Sequence, residues 1–81
     1  MKNDQIEKFL QKTPEKTLVK ISFKTRKPIT GLFVKSTDYT ELKSKNFWRI
    51  VGESSMQDYQ KSKDINLAKI FSGNDITKLS V

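Results

Sequence analysis

Cysteine and histidine are both absent from this chain. Without thiols or imidazoles there is no disulfide staple, no ordinary zinc site and no Cys/His or Ser/His nucleophile. Glycine and proline are scarce, at three and two copies, which excludes collagen-like and low-complexity classes. No internal repeat or interdomain linker is present. No stretch approaches the roughly 18 apolar residues that a membrane-spanning helix needs, and the opening Met1-Lys2-Asn3-Asp4 lacks the apolar core of a secretion signal. A cytoplasmic location, with no membrane partner, is the expectation.

What is present is a single short unit. The chain has 81 residues, and a domain of that size buries only about 60% of the surface its unfolded form exposes, so residues 1–81 are expected to share one compact core. The composition is 35% hydrophobic and 31% charged, lean in apolar residues, but the apolar residues are clustered, which argues against disorder. The formal charge is +7, giving a field that favours polyanions such as RNA, DNA or an anionic surface. The carboxylates Glu41, Glu53, Asp58 and Asp64 have no paired acid/base spacing, no glycine-rich loop cradles a phosphate, and Asp58 with Asp64 lacks the oxygen-ligand spacing of a calcium loop. The expectation is therefore a binding protein with no catalysis, cofactor or metal.

Along the chain, Asp4 and Glu7 have the spacing of a capping box, and Ile6, Phe9 and Leu10 share one helical face until Thr13-Pro14, which predicts a helix over about 4–13. Val19, Ile21 and Phe23 alternate with polar residues as a half-buried strand does. After the turn Thr25 to Pro28, the run Ile29 to Val34 suggests a strand buried on both faces, with Gly31 marking a bend or close backbone approach. Tyr39–Lys43 and Phe47–Val51 are expected as strands joined at Ser44-Lys45-Asn46. A long polar loop is expected over about 52–64, then a strand from Ile65 to Phe71, a tight turn at Ser72 to Asp75, and a last strand from Ile76 to Val81. Phe47 and Trp48 must point to opposite faces of their strand, with Trp48 either in the core or exposed as a base-stacking ring beside Arg49.

The helix, the Val19-x-Ile21-x-Phe23 alternation, Gly31, Asp38 and the terminal Phe71-Ser72-Gly73-Asn74-Asp75-Ile76 together resemble the Sm/LSm/Hfq family over nearly the whole chain. Arg26 stands where that family usually has a turn glycine, Asp38 is displaced by one residue with no asparagine following at the usual distance, and Ser72 replaces an arginine. The resemblance implies a mainly β fold, a strongly bent five-stranded antiparallel Sm-like or SH3-like barrel with a short N-terminal helix. It also implies ring assembly through edge strands and RNA binding.

By the same resemblance the RNA pocket would comprise Asp38, Tyr39, Ser72, Gly73 and Asn74, with Tyr39 either a stacking platform or a cross-strand filler. Independently of it, Lys24, Arg26, Lys27 and Lys35 surround the first hairpin and Lys43, Lys45 and Arg49 lie near the next. They form either one phosphate-binding surface or a scattered solvated one. The expected partners are single-stranded RNA and further copies of the chain. The alternatives are an SH3-like protein-interaction module and a small basic ribosome-associated factor.

Overall fold

A computed structural model describes residues 1–14 and 16–81. Five antiparallel strands, β1 (Val19–Phe23), β2 (Ile29–Phe33), β3 (Phe47–Gly52), β4 (Lys69–Ser72) and β5 (Ile76–Ser80), form one sheet in the order β4-β3-β2-β1-β5. A helix α1 (Asn3–Gln11) precedes them, and two shorter helices, α2 (Tyr39–Ser44) and α3 (Met56–Ser62), lie between β2 and β4. The fold is mainly β with a short N-terminal helix, as the strand alternation and the Ile6, Phe9, Leu10 stripe imply.

The connection between β4 and β5 dictates the shape. These strands are the two edges of the sheet, yet only the three-residue 3-10 turn Gly73–Asp75 joins them. Five flat strands would set the edges roughly 19 Å apart, whereas three residues of 3-10 helix rise only about 6 Å. The sheet must therefore curl until its edges converge. Phe23 of β1 and Phe71 of β4 accordingly meet across the curl at 5.3 Å between ring centroids. Among the described residues no ladder joins β4 to β5, so the sheet is curled and open.

Asn46 holds that corner. It closes the turn before β3 with φ 62°, a left-handed conformation that asparagine tolerates better than most residues. Its carbonyl accepts from the Gly73 N–H at 2.8 Å, its side-chain oxygen accepts from Trp48 Nε1 at 2.9 Å, and its amide donates to the Met1 carbonyl at 2.9 Å. A Cβ on Gly73 would lie 2.1 Å from Asn46 Oδ1, so the fit needs glycine. The ring of Trp48, only 2% exposed, is thereby satisfied at its one polar atom and belongs to the core.

The inner face packs Ile6 of α1 with Val19, Ile21, Phe23, Trp48, Ile50, Ile76 and Leu79. Complete burial of each large side chain contributes about 1.5–3 kcal/mol. A smaller second core, Val34, Val51 and Ala68 under Met56, Tyr59 and Ile65, lies on the other face of β2 and β3. Gly31 permits the close approach of these two strands: a Cβ there would meet Ile50 Cγ2 at 2.7 Å and the Val51 carbonyl oxygen at 2.8 Å.

Several local expectations are corrected. Helix α1 begins with Lys2 rather than Asp4 at its cap; the Gln5 side chain accepts from the Lys2 N–H at 2.9 Å, and Asp4 falls in the first turn. Tyr39–Lys43 is helical, not extended, because Tyr39 packs against the core and Leu42 N–H closes on the Asp38 carbonyl at 2.9 Å; tertiary packing overrides the β-propensity of Tyr and Thr. The expected 52–64 loop contains a 3-10 turn, Glu53–Ser55, and α3. Residues Ile65–Leu67 form a 3-10 turn, not the start of a strand, because Asp64 accepts from the Asn66 N–H at 3.0 Å. Strand β2 is half-buried and not fully covered, apart from Gly31.

Replacing Asn46 separates its two contributions. Asn46→Gly keeps the left-handed backbone and leaves Trp48 Nε1 without its partner, at a cost of about 1–3 kcal/mol. Asn46→Ala adds about 1 kcal/mol for the backbone conformation. Urea denaturation is expected to rank wild type above Asn46→Gly and that above Asn46→Ala; equal midpoints would remove Asn46 from this role.

Candidate nucleic-acid interface

Two places gather groups able to hold a ligand, one at each end of the β1–β2 hairpin. At the connecting end, the turn after β1 is hooked onto the turn before β5. Lys24 N–H donates to the Asp75 carbonyl at 2.8 Å, Thr25 Oγ1 donates to Asp75 Oδ1 at 3.2 Å, and Arg26 Nε lies 3.5 Å from Asp75 Oδ2. The Arg26 guanidinium also covers the rings of Phe23 and Phe71, at 5.5 and 5.3 Å from their centroids. Ser72 Oγ accepts from the Asn74 N–H at 3.2 Å, and Gly73 is buried beneath Asn46 while Asn74 is exposed. The structure thus brings Lys24, Arg26, Lys27, Ser72, Gly73 and Asn74 to one corner, with Lys24, Arg26, Lys27 and Asn74 facing solvent.

Asp38 and Arg49 form a separate pair. Arg49 Nε and Nη2 reach the two Asp38 oxygens at 3.2 and 2.7 Å, and the Ser36 hydroxyl donates to the same carboxylate. Arg49 first, and then Ser36, hold the Asp38 carboxyl down to about 2; in return Asp38 pushes the Arg49 guanidinium up. This two-pronged contact fastens the entry of α2 to β3 and occupies both groups within the fold. Lys45 is also paired, 3.7 Å from Glu41 one helical turn earlier, but that exposed contact is weak and leaves the ammonium accessible.

Tyr39 lies elsewhere again, half-buried at the other end of the hairpin. Its ring meets Trp48 edge-on at 6.0 Å, and the ammonium groups of Lys35 and Lys43 sit 5.5 and 5.7 Å from its centroid. Burial raises the Tyr39 hydroxyl pKa against the opposing influence of Lys43. Lys43 itself is 2.5 Å from Glu7 of α1, whose hydrogen bond pushes the Lys43 pKa up, and so ties the two helices together.

Tyr39 forms part of the wall of an open cleft of about 660 Å³ bounded by the end of α1, the start of β1 and α3. This volume is within the range of small-molecule sites. Val19, Leu32, Phe33 and Val34 supply its apolar lining, with Tyr59 as a second aromatic wall. The charged side chains lining it are Lys16, Lys35 and Lys63; among the described residues none of the three makes an ion pair and no carboxylate lines the cleft. Lys63 closes α3 in the left-handed region with φ 55°, and its ammonium lies 5.7 Å from the Tyr59 ring centroid. Sequence reasoning overlooked Lys16, Tyr59 and Lys63. The three-residue spacing of Met56 and Tyr59 within a polar segment was the signal that a short helix places them on one face.

Among the described residues no group of three acidic, cysteine or histidine side chains gathers as a metal ion would require, and no helix is long and apolar enough to cross a membrane. No family model, curated protein or solved structure matches the chain.

The Asp38–Arg49 pair has a defined pH signature. Folding lowers the carboxyl from its usual 3.8 to about 2, so the stabilisation is complete above the unfolded value and disappears as pH falls through the folded one. Asp38→Asn is expected to be less stable than wild type above pH 3.8, with the gap closing towards about pH 2. Urea midpoints at stepped pH check this, and a gap that persists unchanged at pH 2 rules it out.

Proposed function

We propose that this protein is a non-catalytic RNA-binding protein, an Sm-like barrel that self-associates and takes single-stranded RNA on the corner where the β1–β2 turn meets Gly73–Asp75. The observation that carries this reading is the joining of two turns far apart in sequence, through Lys24 N–H to the Asp75 carbonyl at 2.8 Å, into one surface exposing Lys24, Arg26 and Lys27. Phosphates meet such a surface as sequence-independent contacts. Asn74 adds an amide for a base edge, and Arg26 already lies over two aromatic rings. The curl that brings both sheet edges to this corner supports the barrel reading. The outer sides of β4 and β5 have no ladder partner among the described residues, and open edges of this kind are where copies pair.

A second reading rests on the same edge. Phe47 and Ile70, 38% and 48% exposed, lie on one face of the β3–β4 ladder because Phe47 pairs with Ser72 and Arg49 with Ile70. That apolar strip suits an SH3-like module that takes a protein partner, with the charge serving solubility.

Size-exclusion chromatography with light scattering, with and without mixed-sequence single-stranded RNA at two salt concentrations, separates the two. A ring-sized oligomer whose RNA affinity falls with salt supports the RNA reading. Lys24→Gln and Lys27→Gln are then expected each to flatten the log affinity against log salt slope by about 0.7, the single-strand value per phosphate contact. A monomer indifferent to RNA defeats that reading and transfers the weight to the protein-interaction module.

A further inference from the structure

The cleft at the opposite end of the hairpin is a candidate independent of the RNA corner: we propose that it is a nucleotide site, which receives an aromatic base against Tyr39 and Tyr59 and its phosphate on Lys35 and Lys63. The chain contains two tyrosines, and both line this cleft. Each is already under a lysine ammonium, Lys35 on Tyr39 at 5.5 Å and Lys63 on Tyr59 at 5.7 Å. Trp48 meets Tyr39 at an interplanar angle of 71°, an edge-to-face contact and not a parallel stack, and Lys43 is a second ammonium near the Tyr39 ring, at 5.7 Å.

Charge complementarity selects the ligand. Lys16, Lys35 and Lys63 line the cleft, and three ammonium groups favour an occupant that carries negative charge. An apolar floor with two phenol rings asks for a flat, largely apolar body, and Thr17 and Gln60 at its edge offer hydrogen-bonding groups to a heteroaromatic rim. A base with a phosphate joins these requirements in one molecule. Long, flexible lysine side chains let the ammonium groups leave the tyrosine rings for phosphate oxygens, while the vacated ring faces accept the base. The nucleotide is either free or one residue of a single strand, and the chemistry recognised is the same.

The test is a titration of the full chain followed by the tyrosine ring resonances, which report on this cleft alone. The probes are adenosine 5′-monophosphate, adenosine, inorganic phosphate, decanoate and a mixed-sequence single-stranded RNA. The monophosphate is expected to shift both tyrosines at saturation, with adenosine, phosphate and decanoate each binding at least about tenfold more weakly, the factor that 1.4 kcal/mol represents. Shifts produced by the RNA and not by the free monophosphate assign the site to a strand residue; shifts from the monophosphate assign it to a free nucleotide. The exposed double variant Lys35→Gln/Lys63→Gln is expected to weaken binding roughly tenfold with an unchanged circular dichroism spectrum. Lys24→Gln/Lys27→Gln, which alters the RNA corner, is expected to leave monophosphate binding intact, so the two proposals fail separately. Tyrosine resonances unmoved by both monophosphate and RNA, decanoate or phosphate binding as tightly as the nucleotide, or affinity unchanged in the Lys35/Lys63 variant would each overturn the assignment.

Discussion

Three carbonyl, amide and side-chain contacts of Asn46 fasten the corner where the N-terminus and both edges of the sheet meet, beside the Met1 ammonium, which donates to the Gly73 and Ile76 carbonyls at 2.7 and 2.5 Å. The turn before β3, Met1 ahead of α1 and the turn between the two sheet edges all converge on it. Because β4 and β5 are separated by only Gly73–Asp75, the chain itself imposes the curl of the sheet, and Asn46 fastens the turn at which its edges converge. The same asparagine satisfies Trp48 Nε1, so the largest core side chain and the turn between the sheet edges are held by one residue. A buried indole can occupy an apolar core only when its N–H has a partner, and here the partner is also the corner's fastener.

The charge distribution follows a division of labour. Glu7, Asp38, Glu41 and Asp75 take up Lys43, Arg49, Lys45 and Arg26 respectively. Of these, the Asp38–Arg49 and Glu7–Lys43 pairs position α2 between α1 and β3. The lysines without such a partner among the described residues include Lys24 and Lys27 at one end of the β1–β2 hairpin and Lys16, Lys35 and Lys63 at the other, with Lys2, Lys8, Lys12, Lys20, Lys61, Lys69 and Lys78 elsewhere. The positive charge is therefore spread over the surface, and what sets the two ends of the hairpin apart is the rings that the cations cover there: Phe23 and Phe71 under Arg26 at one, Tyr39 and Tyr59 under Lys35 and Lys63 at the other.

The sequence made the large features legible wherever hydrophobic periodicity was strong. The alternation Val19, Ile21, Phe23 and the run around Trp48 announced β1 and β3, and the Ile6, Phe9, Leu10 stripe announced α1. Gly31 was legible as a close approach because a glycine inside an apolar strand has few other uses. What escaped were the short helices. In Tyr39–Ser44 the β-propensity of Tyr and Thr outweighed a weak three-residue spacing, and the packing of Tyr39 on Trp48, which decides the matter, is a tertiary contact. In 52–64 only Met56 and Tyr59 are large and apolar, too few to display a period until Val51 and Ala68 supply the surface they cover. The candidate site divided accordingly. Lys24, Arg26 and Lys27 with Ser72, Gly73 and Asn74 did come together, because turns meet at sheet ends, whereas Asp38 and Arg49 proved to be each other's partners, and Tyr39 faces a cleft whose other wall lay in the segment read as loop.

The pairing of β1 with β5 has a consequence for folding. Ile21 finds its neighbour Leu79 only across nearly the whole intervening sequence, and contacts of such separation form late and slowly. Until Ile76–Ser80 has docked, β1 displays Val19, Ile21 and Phe23 beside an open strand edge, the kind of surface that invites aggregation. The folding chain therefore passes through a vulnerable interval in which four strands can pair but the sheet lacks its last member.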